Sequence, residues 1–210
     1  MATKLGVYQR ACRMVGHREL SAVDESVEVR LLLDAEYDGN SVSALRSVLA
    51  LGNWRFAAKS ESLASSSTET FGLGLTFTIP SEFVRLIQIA SDEYFKDVLT
   101  EDAYITDPST MYRRDAAKWF AKQSPIYIRY VSDDATAYGG KIADWPDAFE
   151  SLFAAWMAQR IAPALTKNRV MLRHTTSEFE RLLIEALEEE AIGGAAPFLA
   201  VKQALRKEET

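Results

Sequence analysis

Apolar residues in the first 52 positions recur at three- and four-residue steps, the period of an amphipathic helix. Thr3 is placed to cap a first helix in which Leu5, Tyr8, Cys12 and Val15 share one face, and Gly16 suits its end. Ser21 followed by Asp24 has the form of a capping box, after which Val27, Leu31, Ala35, Val42, Leu45 and Leu49 make a second stripe. "DGNS" (38–41) interrupts this stripe with turn-forming residues. The seven residues from Ala35 to Val42 rotate through about 700° at about 100° each, close to two full turns, so the phase survives the interruption. That favours one long helix with a weak spot at Gly39; two helices are the alternative.

Gly52-Asn53 should stop the helix, Gly52 taking the left-handed conformation that closes orphan carbonyls. Beyond it Trp54 and Phe56 alternate with Arg55 as in a strand. "SLASSSTETFGLG" (62–74) is a Ser- and Gly-rich connection, expected to be mobile. "LTFTI" (75–79), "EFVRLIQIA" (82–90), "AYIT" (103–106), "KWFAKQ" (118–123) and "IYIRYVS" (126–132) read as strands. In the second, Phe83, Leu86 or Ile87, and Ile89 compete for the inner face. No helical crossover separates these strands, which predicts an antiparallel sheet.

Helical spacing returns in "DWPDAFESLFAAWMAQRIA", with Pro146 in the first turn, Asp144 and Asp147 near the positive end of the dipole, and Phe149, Leu152, Phe153, Trp156 and Arg160 on one stripe. Pro163 should terminate or kink that helix. A last helix carries Phe179, Leu182, Leu183, Ala186 and Leu187 inward and stops at Gly193-Gly194. The expected fold class is therefore α+β, with terminal helices forming a helical bundle and an antiparallel β insert between them. The pattern divides the chain into one domain over 1–194 (helices within 3–52 and 145–192, β insert over 54–132) and a C-terminal arm over 195–210.

Composition narrows the function classes. Of the 210 residues 48% are hydrophobic and 26% charged, ordinary for a globular protein. The net charge of −6 argues against a nucleic-acid binder, which needs a Lys/Arg surplus. Cys12 is the single cysteine, so an intramolecular disulfide and a zinc knuckle are excluded. No apolar run after Lys4 reaches the length of a signal peptide or a membrane span, and synthesis in a cytoplasm is expected.

The chemistry-bearing residues are sparse. His17 and His174 lie in unrelated contexts, and His17 follows a helix end, where a cation is favoured by the dipole. There is no GxSxG, phosphate-cradling glycine loop or HExxH. "GLG" (72–74) lacks a third glycine, and Asp133-Asp134 reads as the start of a turn rather than a proton-sharing pair. "LEEEA" (187–191) is most simply a solvated helix face, but its charge sits at the dipole's negative end, which makes it a candidate contact for a basic partner. Trp54, Phe56, Trp119, Tyr127, Tyr130, Trp145 and Trp156 are spread through both halves, as core or subunit-interface aromatics are. No catalytic, cofactor-binding or metal-ligating residue is assigned, and a non-enzyme is expected.

In order along the chain come "MVGHREL", "RLLLDAEYD", "LALGNWRFA", "TFTIPSEFVRLIQI", "IYIRYVSD" and "WPDAFESLFAAWMAQRIAPALT". Together these resemble the head-to-tail adaptor family of short-tailed bacteriophages, also called tail tubular protein A or gatekeeper proteins, over roughly residues 4 to 190. The Gly-x-Trp-x-Phe corner, the Ile-Pro-x-x-Phe strand start and the Trp-Pro-x-x-Phe helix start carry the resemblance. It implies a structural virion protein at the head–tail junction that self-associates into a dodecameric ring. The partners implied are the portal protein and the tail nozzle protein; DNA would pass through the channel without sequence-specific binding, and no cofactor or membrane is involved. The Ser-rich 62–74 segment would order on contact with the nozzle, and the arm, through Phe198, Leu199, Val201 and Leu205, is a candidate portal contact. A neck or head-completion protein of a long-tailed phage is the alternative, ahead of a ligand-binding domain or enzyme with a diffuse site.

Overall fold

The first helix forms as its ends dictate. In the computed structural model, which describes residues 1–38, 43–66, 74–101, 110–115 and 118–192, α1 runs Lys4–Met14 and the Thr3 hydroxyl accepts the Gly6 N–H at 3.0 Å. At its other end Gly16 takes φ +69°, and the N–H groups of Gly16 and His17 bond to the carbonyls of Arg13 and Cys12. This is the two-bond glycine stop that satisfies the last carbonyls of a helix.

The long second helix expected over 21–52 is replaced by two described pieces, α2 (Glu28–Tyr37) and α3 (Ala44–Leu49), with Gly39 and the rest of 39–42 outside the described residues. Ser43 opens α3 by accepting the Arg46 N–H at 3.1 Å. The capping box at Ser21 does not start a helix. The Glu25 carboxylate, not Asp24, receives the Ser21 N–H at 2.6 Å and also binds Arg18, which holds 21–27 in turns. The inward face also differs from the expected one: Val29 and Leu33 are buried, whereas Leu31 is 57% exposed and Ala35 faces solvent.

Gly52 ends the helical stretch by a different means from the one expected. It does not adopt positive φ; a Cβ there would stand 2.8 Å from Leu187 Cδ2 and 2.9 Å from the Trp54 ring, so close approach requires the glycine. Trp54 and Phe56 are not strand residues, since Arg55–Ala57 forms a 3₁₀ turn and the first strand begins only at Ala58.

The chain divides into two compact units, one of residues 1–56 and 141–210 and one of residues 57–140. In the first, α4 (Asp147–Thr166) packs against α1, α2, α3 and α5 (Arg169–Ile192). Ten of its residues are buried, among them Phe149, Phe153, Ala154, Ala155 and Ala158, so it is covered nearly all round instead of along one stripe. Trp156, expected on that stripe, is only half-buried, and the exposed Arg160 lies over its ring. Pro146 is the N-cap, one residue earlier than expected, and Pro163 does not terminate the helix, which continues to Thr166. The missing Pro163 N–H is tolerated in this last turn; Lys167, in the left-handed region at φ +50°, makes the stop.

Asn168 then caps α5 through its side chain, which accepts the Val170 N–H at 2.9 Å. So short a connection makes α4 and α5 antiparallel neighbours. Leu182 and Ala186 are buried on α5, with Phe179, Leu183 and Leu187 half-buried beside them; Gly193-Gly194 lies outside the described residues.

The second unit holds two sheets. β1 (Ala58–Leu63), β7 (Ile126–Ser132) and β3 (Phe83–Ala90) pair antiparallel with β7 in the centre. β2 (Leu75–Thr78), β6 (Lys118–Ala121), β5 (Met111–Asp115) and β4 (Thr100–Glu101) form the other. The β4–β5 pair is parallel, a departure from the all-antiparallel expectation. Phe77, Phe83, Ile89, Trp119, Ile128 and Tyr130 from the two sheets share one core. Register shifts in β3 after Phe83 and Leu86 leave both Leu86 and Ile87 half-buried, so neither takes the inner face alone. The expected strand 103–106 and residues 67–73 of the Ser-rich connection lie outside the described residues. The architecture is α+β, with helices and strands segregated.

Candidate functional site

In the helical unit, Asp34 on α2 gathers three donors: the Tyr8 hydroxyl at 2.8 Å, Arg30 at 2.7 Å and Lys4 at 3.2 Å. Lys4 also lies 4.5 Å from the centre of the Tyr37 ring, whose edge packs on Phe153. Burial pushes the Asp34 carboxyl up, but the bonds from Tyr8, Arg30 and Lys4 outweigh it and hold it below its ordinary range. Burial together with Asp34 raises Tyr8 far above an ordinary phenol, and burial moves Tyr37 up to about 12.

The β unit contains an equivalent arrangement. Tyr130 on β7 donates to Glu61 at 2.9 Å and Glu82 at 3.3 Å, and Lys59 on β1 binds Glu82 at 2.6 Å. The Lys59 hydrogen bond is the main reason that Glu82 falls to about 2, and Glu82 in turn raises Lys59. Tyr130 is raised, first by burial and then by Glu61. The Asp34 and Glu82 carboxyls are thus held charged and the Tyr8 and Tyr130 phenols neutral across the physiological range. This is the behaviour of anchors that fix packing, not of groups poised to exchange protons near neutral pH.

The residues singled out from sequence are not brought into one cleft. His17 sits beside the end of α1 with Nδ1 3.0 Å from the Arg18 carbonyl, and His174 is exposed on α5. Cys12 is buried, and burial raises its thiol. Asp134 begins a turn, as read from sequence: its carboxylate accepts the Thr136 N–H at 2.8 Å and hydroxyl at 2.7 Å. Trp54, Phe56, Trp145 and Phe149 pack edge-on or tilted in the helical core. Trp119 and Tyr130 flank Phe83 in the β core. Among the described residues no group of three or more His, Cys, Asp or Glu is placed to hold a metal ion. No helix among them is long and apolar enough to cross a membrane. Phe198, Leu199, Val201 and Leu205 lie outside the described residues.

Surface charge on α5 is the remaining feature. Of "LEEEA", Glu190 is not simply solvated, for it accepts the Arg55 backbone N–H at 3.2 Å and the guanidinium at 3.0 Å. Glu189 and Glu185 line a groove of about 270 Å³ with Asp147, Ala148, Ser151 and Leu182. The two networks escaped the sequence reading because, apart from the i,i+4 pair Arg30–Asp34, their partners are 23 to 69 residues apart, beyond any local spacing rule.

No protein-family model matches the chain, and neither does any curated protein.

Proposed function

We propose that this chain is a structural connector of a bacteriophage particle: a head-to-tail adaptor that docks under the portal, extends the DNA channel and receives the tail nozzle at the head–tail junction of the virion. In this reading the terminal helices act as a bundle, the β unit is a mainly antiparallel insert with one parallel pair, and copies assemble into a ring of twelve. The observation that carries the proposal is the division of labour along the chain. One helical unit is assembled from residues 1–56 and 141–210, and a separate β unit of residues 57–140 is spliced between them. A connecting piece needs distinct docking surfaces more than a convergent pocket, and two units with separate cores supply them. DNA would pass without base-specific contact, since like charge on a chain of net charge −6 suppresses tight phosphate binding. Neither a cofactor nor a catalytic residue is part of the proposal.

The test is to mix the purified chain with the portal of its virus and examine the product by electron microscopy. A stoichiometric ring seated on the portal is expected. A portal that sediments bare at saturating concentrations of the chain would end the proposal.

A further inference from the structure

The charges on α5 oppose its dipole at both ends. Arg169 and Arg173 occupy its first turns, where anions are favoured, and Glu188, Glu189 and Glu190 its last, where cations are. Lys167, Arg169 and Arg173 make no ion pair, side-chain hydrogen bond or ring contact among the described residues. Elsewhere in the helical unit Lys4, Arg10, Arg30, Arg160 and Arg181 each face a carboxylate. In the middle of this unpaired basic turn stands Val170, 72% exposed, the most exposed large aliphatic side chain among the described residues after the terminal methionine. An apolar centre inside a charged rim is the composition of a protein contact more than of a phosphate site.

The complementary surface lies on the same unit. The groove between the start of α4 and the second half of α5 has Ala148 and Leu182 as its apolar lining and Asp147, Glu185 and Glu189 around it. Asp147 and Glu189 have no cation beside them among the described residues, while Glu185 shares Arg181 with Glu178. Arg10, which bonds Ser151 at the groove, is itself drawn toward Glu150 at 4.0 Å. The basic turn cannot reach this groove in its own molecule: Val170 and Leu182 are twelve residues apart on one rigid helix, about 18 Å at 1.5 Å per residue.

We infer that the groove lined by Asp147, Leu182 and Glu189 receives the Val170 turn of a second copy of this chain, with Arg169 and Arg173 against its carboxylates. The two surfaces differ, so the contact is head-to-tail and repeats around a closed ring or along a filament. Each α5 end then faces charge of the sign its dipole favours. The inference deepens the ring proposed above but shares only self-association with it; portal binding does not enter.

Cysteine trapping tests it. Val170→Cys combined with Ala148→Cys, in the full chain, is oxidised at low salt and resolved on a denaturing gel. Native Cys12 is buried, and an internal bridge is ruled out because bridged Cα atoms must lie within about 7 Å. A ladder of dimers, trimers and higher species is expected, suppressed at high salt and by adding Arg169→Glu/Arg173→Glu. A ladder no stronger than that of the control pair Val170→Cys/Ala35→Cys overturns the inference. Retardation of duplex DNA by the wild-type chain, lost in the Arg169→Glu/Arg173→Glu variant, would make nucleic acid the occupant and overturn it equally. As a second arm, the Arg169→Glu/Arg173→Glu chain keeps its groove and an Asp147→Lys/Glu189→Lys chain keeps its turn. Each should stay monomeric alone in sedimentation velocity, whereas their mixture should assemble, because each turn then meets a groove of opposite charge on the other chain; a mixture that stays monomeric counts against the contact. A ladder without portal binding would retain this contact and remove the adaptor reading; portal binding without a ladder would do the reverse.

Discussion

The indole N–H of Trp54 donates to the main-chain carbonyl of Leu49 at 3.0 Å, across the turn that closes α3. The bond brings the Trp54 ring over Gly52, where a Cβ would lie 2.9 Å from two ring carbons and 2.8 Å from Leu187 Cδ2. The sharp stop after α3 is thus enforced by packing, with the ring pinned from one side and α5 pressing from the other. Gly52→Ala should cost about 1–3 kcal/mol, the range for forcing a methyl into a filled core. Urea unfolding measures it. Leu187→Ala in the same chain should recover part of the loss, because a flexible side-chain end gives way more readily than the pinned ring. A midpoint unchanged by Gly52→Ala would show that this contact does not exist in solution.

The same substitution at two buried tryptophans should have unequal effects. Trp54 is 1% exposed and its N–H is bonded, whereas Trp119 is fully buried and its Nε1 has no partner among the described residues. Trp54→Phe gives up a hydrogen bond and leaves the Leu49 carbonyl without that donor. Trp119→Phe removes a donor whose unsatisfied burial costs about 1–3 kcal/mol, which offsets part of the lost packing. Trp54→Phe should therefore be the more destabilising by roughly 1–3 kcal/mol in urea unfolding. Equal losses would mean that the Trp119 N–H is satisfied in solution.

Why some elements could be read from sequence and others could not follows from particular residues. β2, β3, β6 and β7 alternate or run apolar, and all appear where their pattern places them. β5 escapes because in "MYRRD" only Tyr112 is buried. On α2 the run Leu31-Leu32-Leu33 offers apolar side chains in successive directions, so periodicity alone cannot choose the inward one. What chooses is Asp34, tied to Tyr8 and Lys4 of α1, which turns Leu33 inward and Leu31 out. The phase carried from Ala35 to Val42 was measured along a face whose α2 part meets solvent, and it said nothing about continuity. The acidic run at the negative end of α5 is legible in the sequence, because the sign of a side chain near a helix end needs no tertiary information; the groove that Glu189 lines needs α4 beside it.

Acid should weaken the β unit through Glu82. Its carboxyl is lowered from an ordinary 4.5 to about 2, first by the Lys59 hydrogen bond. Between those values the unfolded chain takes up a proton that the folded chain refuses, so stability falls as pH falls. The contribution is complete above about 4.5 and gone below about 2. Glu82→Gln should lower stability at neutral pH and flatten the dependence across that window, measured as hydrogen-exchange protection of the β7 amides. The raised Lys59 acts in the opposite sense: its share is present at neutral pH and is lost as pH climbs above its ordinary 10.5 through its folded value. A Glu82→Gln chain with the wild-type acid slope would assign that slope to other carboxylates.

The last expectation concerns the arm, where sequence alone supplies the argument. Phe198, Leu199, Val201 and Leu205 are four large apolar residues within eight positions, followed by Arg206 and Lys207. Such a segment has apolar area to bury and basic residues to place against an acidic rim, which is how a terminal arm contributes to docking without being part of a folded core. On the adaptor proposal, removing residues 195–210 should weaken binding to the portal ring at least about tenfold, equivalent to about 1.4 kcal/mol. Sedimentation of the truncated chain with the ring reads this directly. Leu199→Asp/Leu205→Asp in the full chain should reproduce most of the loss, separating apolar docking from arm length. Undiminished binding by the truncated chain would take the arm out of the interface and leave portal contact to the helices.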